Sequence, residues 1–462
     1  MNNTLKSMLI AASALTAVSS FAQDKSTLDL LVKKGVITAE ERAAAMEDSS
    51  NARAASGINR VFPKEDATKR LTISGYFQAQ YENFGYTDST NVARQTQSSF
   101  LMRRLYLELL ADIGEGISGN VVFDMSGNTA NSIDRAIVTL SGDKGTIDMG
   151  YKKVAWGYEE STLTSLFKAS SSKLLTVERG ITNRYWNEAE NNGGSSSAAQ
   201  TGGVSAGRRL GFGAHHLGLH YSSVANPQGF EYGLSVTNAA QGFNNKGLND
   251  VAEYANVVWN NKVSDNEKYA IGVNYGRGKY FNGTLTTGLV TGAVSDTLAN
   301  MEGYNPFVQV QYFNWLLNAE YMKTKIGNTA DGASVDHSPT GYNATVAYKI
   351  NDNWEGVVRY TNLNTDKRGQ KISDGERDFA KVGGNADLVY DKSNSWYAGL
   401  NYYFTIPVAG GAAVNGPNAK IQFGYERAKF EDIVTLVSTG INTTAAGSAN
   451  VDTLRLQAQI AF

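Results

Sequence analysis

The chain has 462 residues, no cysteine, six prolines and 47 glycines, with a formal charge of −2 and a mean hydropathy of −0.32. No cysteine means no disulfide framework. The balanced charge argues against a nucleic-acid partner, and after the N-terminal segment no run of about 18 apolar residues occurs, so helical membrane spans are excluded.

In chain order, residues 1–22 have the layout of a secretory signal peptide. Lys6 precedes an apolar stretch from Met8 to Val18, and Ser20-Phe21-Ala22 supplies small residues for cleavage after Ala22. Residues 23–70 read as a periplasmic helical extension and linker. Ser26 caps a short helix with Leu28, Leu31 and Val32 on one face, ended by Gly35. Thr38 with Glu41 opens a second helix through Ala43 to Met46, and Ser49 to Gly57 is a polar linker. The extension is either a tether or a helical oligomerisation element.

From Leu71 the period becomes two. Leu71, Ile73, Phe77, Ala79 and Tyr81 oppose Thr72, Ser74, Tyr76, Gln78, Gln80 and Glu82. An apolar face set against a polar one, with aromatics near the strand ends, is the pattern of a transmembrane barrel strand. Such segments lie near 71–82, 98–110, 116–125, 133–140, 145–152, 208–220, 229–238, 251–261, 268–281, 304–313, 315–326, 340–350, 353–364, 395–404, 418–430 and 451–462. Connections after odd-numbered segments are mostly long and those after even-numbered ones mostly short. The fold class expected is all-β: a 16-stranded antiparallel transmembrane β-barrel spanning 71–462, with both termini in the periplasm. The third outer loop, about 153–207, is far longer than closure needs and is expected to fold inward. The last strand ends at Phe462, whose aromatic carboxyl terminus is like a barrel-assembly signal.

Strand parity places Arg104, Arg135, Lys152, Lys349, Arg359, Lys420 and Arg455 toward the lumen, against Glu108, Asp124, Asp148, Glu320, Glu355 and Glu426. The third loop adds Lys153, Lys168, Lys173, Arg179 and Arg184 against Glu159, Glu160, Glu178, Glu188 and Glu190. Selection by charge needs one sign to dominate at a constriction, and these sets are mixed. Arg103, next to Arg104, is expected to face outward and snorkel to the rim.

The stretch from about Ser99 to Gly180 resembles the phosphate-selective porin O and P family. Phe100-Leu-Met-Arg-Arg is similar to the family's F-x-x-R-R; Val121-Val-Phe-Asp and Ile133-Asp-Arg-Ala follow in order. Met149-Gly-Tyr-Lys-Lys-Val-Ala-Trp-Gly-Tyr-Glu is like G-x-x-K-x-P-F-G-x-E, and Val177-Glu-Arg-Gly is like L-E-R-G. The matching positions are Arg103, Arg104, Lys153, Gly157, Glu159, Glu178, Arg179 and Gly180. Leu31-Val-Lys-Lys-Gly-Val-Ile-Thr resembles the family's N-terminal extension. Ala155-Trp156 departs from the usual Pro-Phe. The resemblance implies a trimeric channel in outer-membrane lipid that passes small anions such as phosphate through a lumen carrying arginines and lysines.

Other chemistry is weaker. His216 and His220 share a strand face but stand about 13 Å apart, too far to chelate one metal; His215 and His337 complete the histidines. Gly272, Gly276 and Gly278 fall within a strand pattern, where glycine marks close packing, not a phosphate loop. No nucleophile elbow, P-loop or zinc motif is present, so neither enzyme nor cofactor is expected. Two functions remain. One is a passive porin filtered by its third loop. The other is a structural or adhesive barrel whose third loop, with the polar tract Gly193 to Gly203, binds outside partners.

Overall fold

The computed structural model describes residues 33, 70–89, 95–126, 133–160, 174–187, 209–213, 215–238, 251–281, 298–330, 333–377, 379, 389–406, 419–435 and 443–461. The chain divides into two compact units, Met1–Arg70 and Leu71–Phe462. Of the first, Lys33 is helical and exposed; the signal, the second helix and the linker lie outside the described residues, as does Phe462.

The second unit is a closed antiparallel barrel. Its strands are β1 (Arg70–Asp88), β2 (Gln95–Gly114), β3 (Ile117–Asp124), β4 (Ile133–Gly142), β5 (Gly145–Lys153), β6 (His215–Ser223), β7 (Phe230–Asn238), β8 (Val251–Lys262) and β9 (Glu267–Phe281). They continue as β10 (Leu298–Tyr312), β11 (Trp315–Ala330), β12 (Ala333–His337), β13 (Thr340–Lys349), β14 (Trp354–Asn364), β15 (Gln370–Lys371), β16 (Val389–Tyr403), β17 (Ala419–Thr435) and β18 (Thr443–Ala461). Each pairs with its neighbour, and β1 pairs with both β2 and β18, which closes the ring. β12 and β13 form one wall strand. Both pair with β11 in a single register, Ile326 with His337 and Lys323 with Thr340; Pro339, which lacks an N–H, interrupts only the ladder. β15 is a two-residue addition to β16 within a loop. Sixteen wall strands result, as the alternation predicts.

Between strands, the short connections need unusual backbone. Between β2 and β3, Glu115 has φ 54° and Gly116 φ 77°; a Cβ on Gly116 would sit 2.4 Å from the Ser141 carbonyl oxygen. Phe313 (φ 51°) and Asn314 turn β10 into β11. Aromatic pairs line the wall near these turns, Trp315 with Tyr348 at 4.6 Å and Trp354 with Tyr402 at 4.8 Å, where an interfacial belt belongs.

Two features depart from the sequence reading. First, strands run further at the loop end than the hydrophobic pattern: β1 to Asp88, β11 to Ala330 and β17 to Thr435, with β10 starting at Leu298 and β18 at Thr443. The parity continues but the polarity inverts. Met301, Met322, Ile326, Ala428, Phe430, Ala449 and Val451 face inward and are buried, while exposed charges face out, as in Arg277–Glu253 at 2.7 Å and Lys325–Asp336 at 3.1 Å. That end of the barrel is built like a soluble domain, so the apolar-outward signal fades there. Second, the segment expected as strand from 208 begins as strand only at His215. Leu210 and Phe212 belong to the loop and pack into the core. The glycines of β9 do mark close packing: a Cβ on Gly276 would lie 2.9 Å from the Phe212 ring and 2.8 Å from that of Tyr254.

Candidate functional site

The third loop leaves β5 at Lys153 and returns into β6 at His215. Its described parts, 154–160, 174–187 and 209–213, are almost wholly buried and bond to inward-facing wall residues. Gly157 N–H donates to Asn305 Oδ1 at 3.1 Å, and the N–H groups of Tyr158 and Glu159 donate to the Glu320 carboxylate at 2.7 and 3.2 Å. Asn401 and Gln422 donate to the Leu175 carbonyl at 2.8 and 3.0 Å. Val177 N–H donates to the Tyr397 hydroxyl at 3.3 Å. A short helix, α1 (Ile181–Asn187), is buried along its whole length, and its Trp186 Nε1 donates to Thr324 at 3.2 Å. These partners stand on β10, β11, β16 and β17, so most of these bonds fall on one arc of the wall, while Glu178 and Glu160 of the same loop reach Arg103 on β2 and Lys153 on β5.

Gly157 shows why this loop path suits the sequence. Its φ is +74°, and a Cβ there would lie 2.3 Å from Asn187 Nδ2 and 2.8 Å from Asn183 Oδ1. Only glycine adopts that backbone without cost and lets α1 approach so closely.

A second loop reinforces the first. Between β14 and β16 lies α2 (Ile372–Gly375). Arg184 donates to the Gly375 carbonyl at 3.0 Å, and Arg455 pairs with Glu376 at 2.9 Å. The two loops and the inward apolar residues of the strand ends form one hydrophobic cluster, centred on Trp156, Tyr185, Trp186, Phe212 and Phe430. It draws wall residues from β1, β8, β10, β11, β14, β16, β17 and β18.

The charges sort by arc. Arg359 is fully buried, pairing with Glu159 at 3.2 Å and Glu426 at 3.0 Å and donating to the Glu178 carbonyl at 2.6 Å. Arg455 joins Glu426 at 3.2 Å and Glu82 at 3.4 Å. Lys420 donates to the Leu174 carbonyl at 2.9 Å. With Arg184, these expected pore-lining cations are covered by loops and serve as anchors. Parity gives the inward face but not what lies over it.

On the β2–β6 arc Lys152, Lys153 and His215 are less covered, whereas Arg103, Arg104, Glu108, Arg135 and Asp148 are buried. Lys152 pairs with Asp148 at 2.5 Å, Lys153 pairs with Glu160 at 2.5 Å, and His215 lies 3.4 Å from Asp134; the exposure of Lys152, Lys153 and His215 is 13–18 %, against 0–2 % for Arg359 and Arg455. Arg179 shares Glu160 with Lys153. Arg135 is buried beside them on β4. Lys168 and Lys173 lie outside the described residues.

Arg103 does not snorkel outward. Phe100 and Met102 are exposed, yet Arg103 and Arg104 are both buried. The outward parity shifts across this pair, and both guanidiniums enter the lumen. Arg103 forms a two-pronged pair with Glu178, Nη2 to Oε2 at 3.0 Å, and Arg104 donates to the neutral Gln78 amide at 2.7 Å. Burial alone would raise the Glu178 carboxyl, but Arg103 holds it well below the usual carboxylate range. A register shift does the same on β4. Val122 faces Arg135 and Phe123 faces Ile133, leaving Asp134 as an extra residue, a bulge that re-aims side chains. Asp134 and Glu376 are the charged site residues that alternation misses. A one-residue bulge and a loop position leave no trace in a period of two.

Among the described residues, no three histidines, cysteines or carboxylates converge on a metal-binding point, and no helix is long and apolar enough to cross a membrane.

A closed 16-stranded barrel with apolar outer and polar inner faces, narrowed by an inward loop, defines an outer-membrane channel for small solutes. The chain belongs to the phosphate-selective porin O and P family, whose model matches residues 71–459, and that family is one of channels. No curated protein matches. Among solved structures, the chain is similar to the outer-membrane channel DcaP of Acinetobacter baumannii (12 % identity, 86 % of this chain and 99 % of that one, TM-score 0.47). It is also similar to OmpT of Vibrio cholerae (11 %, 86 % and 99 %, 0.47) and to Salmonella typhi OmpF in complex with daunomycin (13 %, 86 % and 98 %, 0.44).

Proposed function

We propose that this chain is a passive diffusion channel that favours small anions such as phosphate, with its aperture along the β2–β6 arc. The observation that carries the reading is the paired inward arginines. Arg103 fixes the loop through Glu178, while Arg104 is hydrogen-bonded by the neutral Gln78 amide and adds a second positive charge that Glu178 shares with Arg103. In a low-dielectric constriction one such charge biases permeation strongly. Lys152, Lys153 and Arg135 add to the field, and Asp134, Asp148 and Glu160 temper it. Burial of the third loop's described parts favours a filter over a surface that binds outside partners.

The same reading places 1–22 as a signal peptide, 23–70 as a periplasmic extension, both termini in the periplasm, and the working form as a homotrimer in outer-membrane lipid. The test is the reversal potential in a planar bilayer under a potassium chloride gradient, with phosphate then added. Anion selectivity, lost in Arg104→Leu, is the expected result; an unselective current insensitive to phosphate overturns the anion reading.

A further inference from the structure

The inward faces of β11 and β13 set two cross-strand pairs side by side: Asn318 opposite Thr345, and Glu320 opposite Asn343. Paired residues on adjacent strands have Cβ atoms about 5 Å apart, and alternate residues along a strand about 7 Å. The four therefore make a small square of oxygen-bearing side chains. Tyr158 and Glu159 of the third loop cover it, and a small cavity remains between loop and wall. All six residues are more than nine-tenths buried.

Two features of this cavity point to a ligand. The Asn318 side chain, the Asn343 carbonyl and the Tyr158 hydroxyl have no hydrogen-bond partner, and buried polar groups are normally satisfied. The charge is also unbalanced. Glu320 accepts four hydrogen bonds, all from neutral donors: Tyr158 N–H (2.7 Å), Glu159 N–H (3.2 Å), Asn183 (2.6 Å) and Asn305 (3.2 Å). Glu159 meets Arg359, but that guanidinium is divided with Glu426. Two carboxylates thus face the cavity with less than one positive charge, and a buried charge left uncompensated is unfavourable.

We propose that this cavity is a Ca2+ site that staples the third loop to the wall. A carboxylate offers about four acceptor positions. Those of Glu320 are filled by its four donors, so Glu320 supplies charge. Glu159 spends two, on Arg359 and on the Gly180 N–H at 3.0 Å, and has two left to ligate. The carbonyls of Asn318 and Asn343 and the hydroxyls of Thr345 and Tyr158 complete an all-oxygen set. Ca2+ takes six to eight such ligands in flexible geometry, whereas Mg2+ demands a stricter octahedron and keeps its waters.

The full chain, stripped of metal in detergent, is titrated with Tb3+, whose emission the Tyr158 ring would sensitise. The expected result is a saturable step of one ion per chain that Ca2+ displaces, with a melting temperature that rises on adding Ca2+. The double variant Asn318→Leu/Asn343→Leu should weaken the step by about tenfold or more while keeping the β-sheet spectrum. If that variant does not fold, Tyr158→Phe removes one ligand and should weaken the same step. A wild-type chain with no saturable step, or an unchanged step in every folded variant, overturns the assignment.

Discussion

Replacing Arg359 by leucine tests the anchoring of the third loop. Arg359 is fully buried and reaches five groups: Glu159, Glu426, the Thr176 hydroxyl at 2.8 Å, the Glu178 carbonyl, and the Tyr397 ring, whose centroid is 5.3 Å away. Leucine fills much of the volume but leaves two buried carboxylates short of their cation. Breaking a buried pair from one side costs about 3–5 kcal/mol. At about 1.4 kcal/mol per factor of ten, the open fraction of the loop rises by about 100- to 4,000-fold. Arg179 and Arg184 are buried in the docked loop, so tryptic cleavage after either reports undocking, provided reclosing outpaces cleavage. The rate, followed by mass spectrometry on detergent-solubilised protein, should rise by that factor. A rate within twofold of wild type would refute the assignment of Arg359 as an anchor.

Further outcomes follow from the same contacts. Gly157→Ala forces a Cβ against Asn187 and Asn183 at φ +74° and should lower loop-docking stability by at least about 1–2 kcal/mol, read by the same cleavage rate. Trp186→Ala empties a fully buried indole site and should cost about 3–5 kcal/mol, seen as noisier, larger single-channel currents. Burial and Glu426 push the Glu376 carboxyl up to about 7. A raised carboxyl contributes its stability fully below the ordinary carboxylate range and loses it as pH rises through about 7. Hydrogen exchange at 372–376, corrected for intrinsic rate, should therefore be faster at pH 8.5 than at pH 5.5, and Glu376→Gln should flatten that difference. Glu178 has the opposite sign: held down by Arg103, its contribution is full above the ordinary carboxylate range and is lost as pH falls from there through its lowered value. Arg103→Leu removes the main cause of that depression, so the acid-induced loss should shrink, measured as a weaker dependence of loop cleavage by pepsin on pH.

The wall of the barrel was legible because lipid and water impose opposite demands on alternate residues. The pattern Gln78, Gln80, Glu82 against Phe77, Ala79, Tyr81 admits one reading, and the loop lengths follow from strand direction. Three things escaped that logic. At Arg103–Arg104 and Asp134–Arg135 a single irregular residue turns two neighbours the same way, and no composition marks it. At Met301, Phe430 and Val451 the inward face becomes apolar because loops pack there, so polarity stops reporting the side. At Arg359, Lys420 and Arg455 strand parity gives the inward face, but their covering depends on contacts across more than a hundred residues, as with Lys420 and Leu174. The family motif around Gly157, Glu159, Glu178 and Arg179 was visible as letters; its physical sense, a loop whose Glu159, Glu160 and Glu178 each meet a base, needed the fold.

In the proposed channel the third loop covers one arc of the lumen and the aperture lies along the other. The chain has no cysteine, so single cysteines can be placed at Lys152 on the open arc and at Lys420 under the loop. Each variant is held in a planar bilayer and treated with a negatively charged thiol reagent. Prompt loss of current is expected for Lys152→Cys and none for Lys420→Cys. Equal block of both, or block of Lys420→Cys alone, would contradict that arrangement.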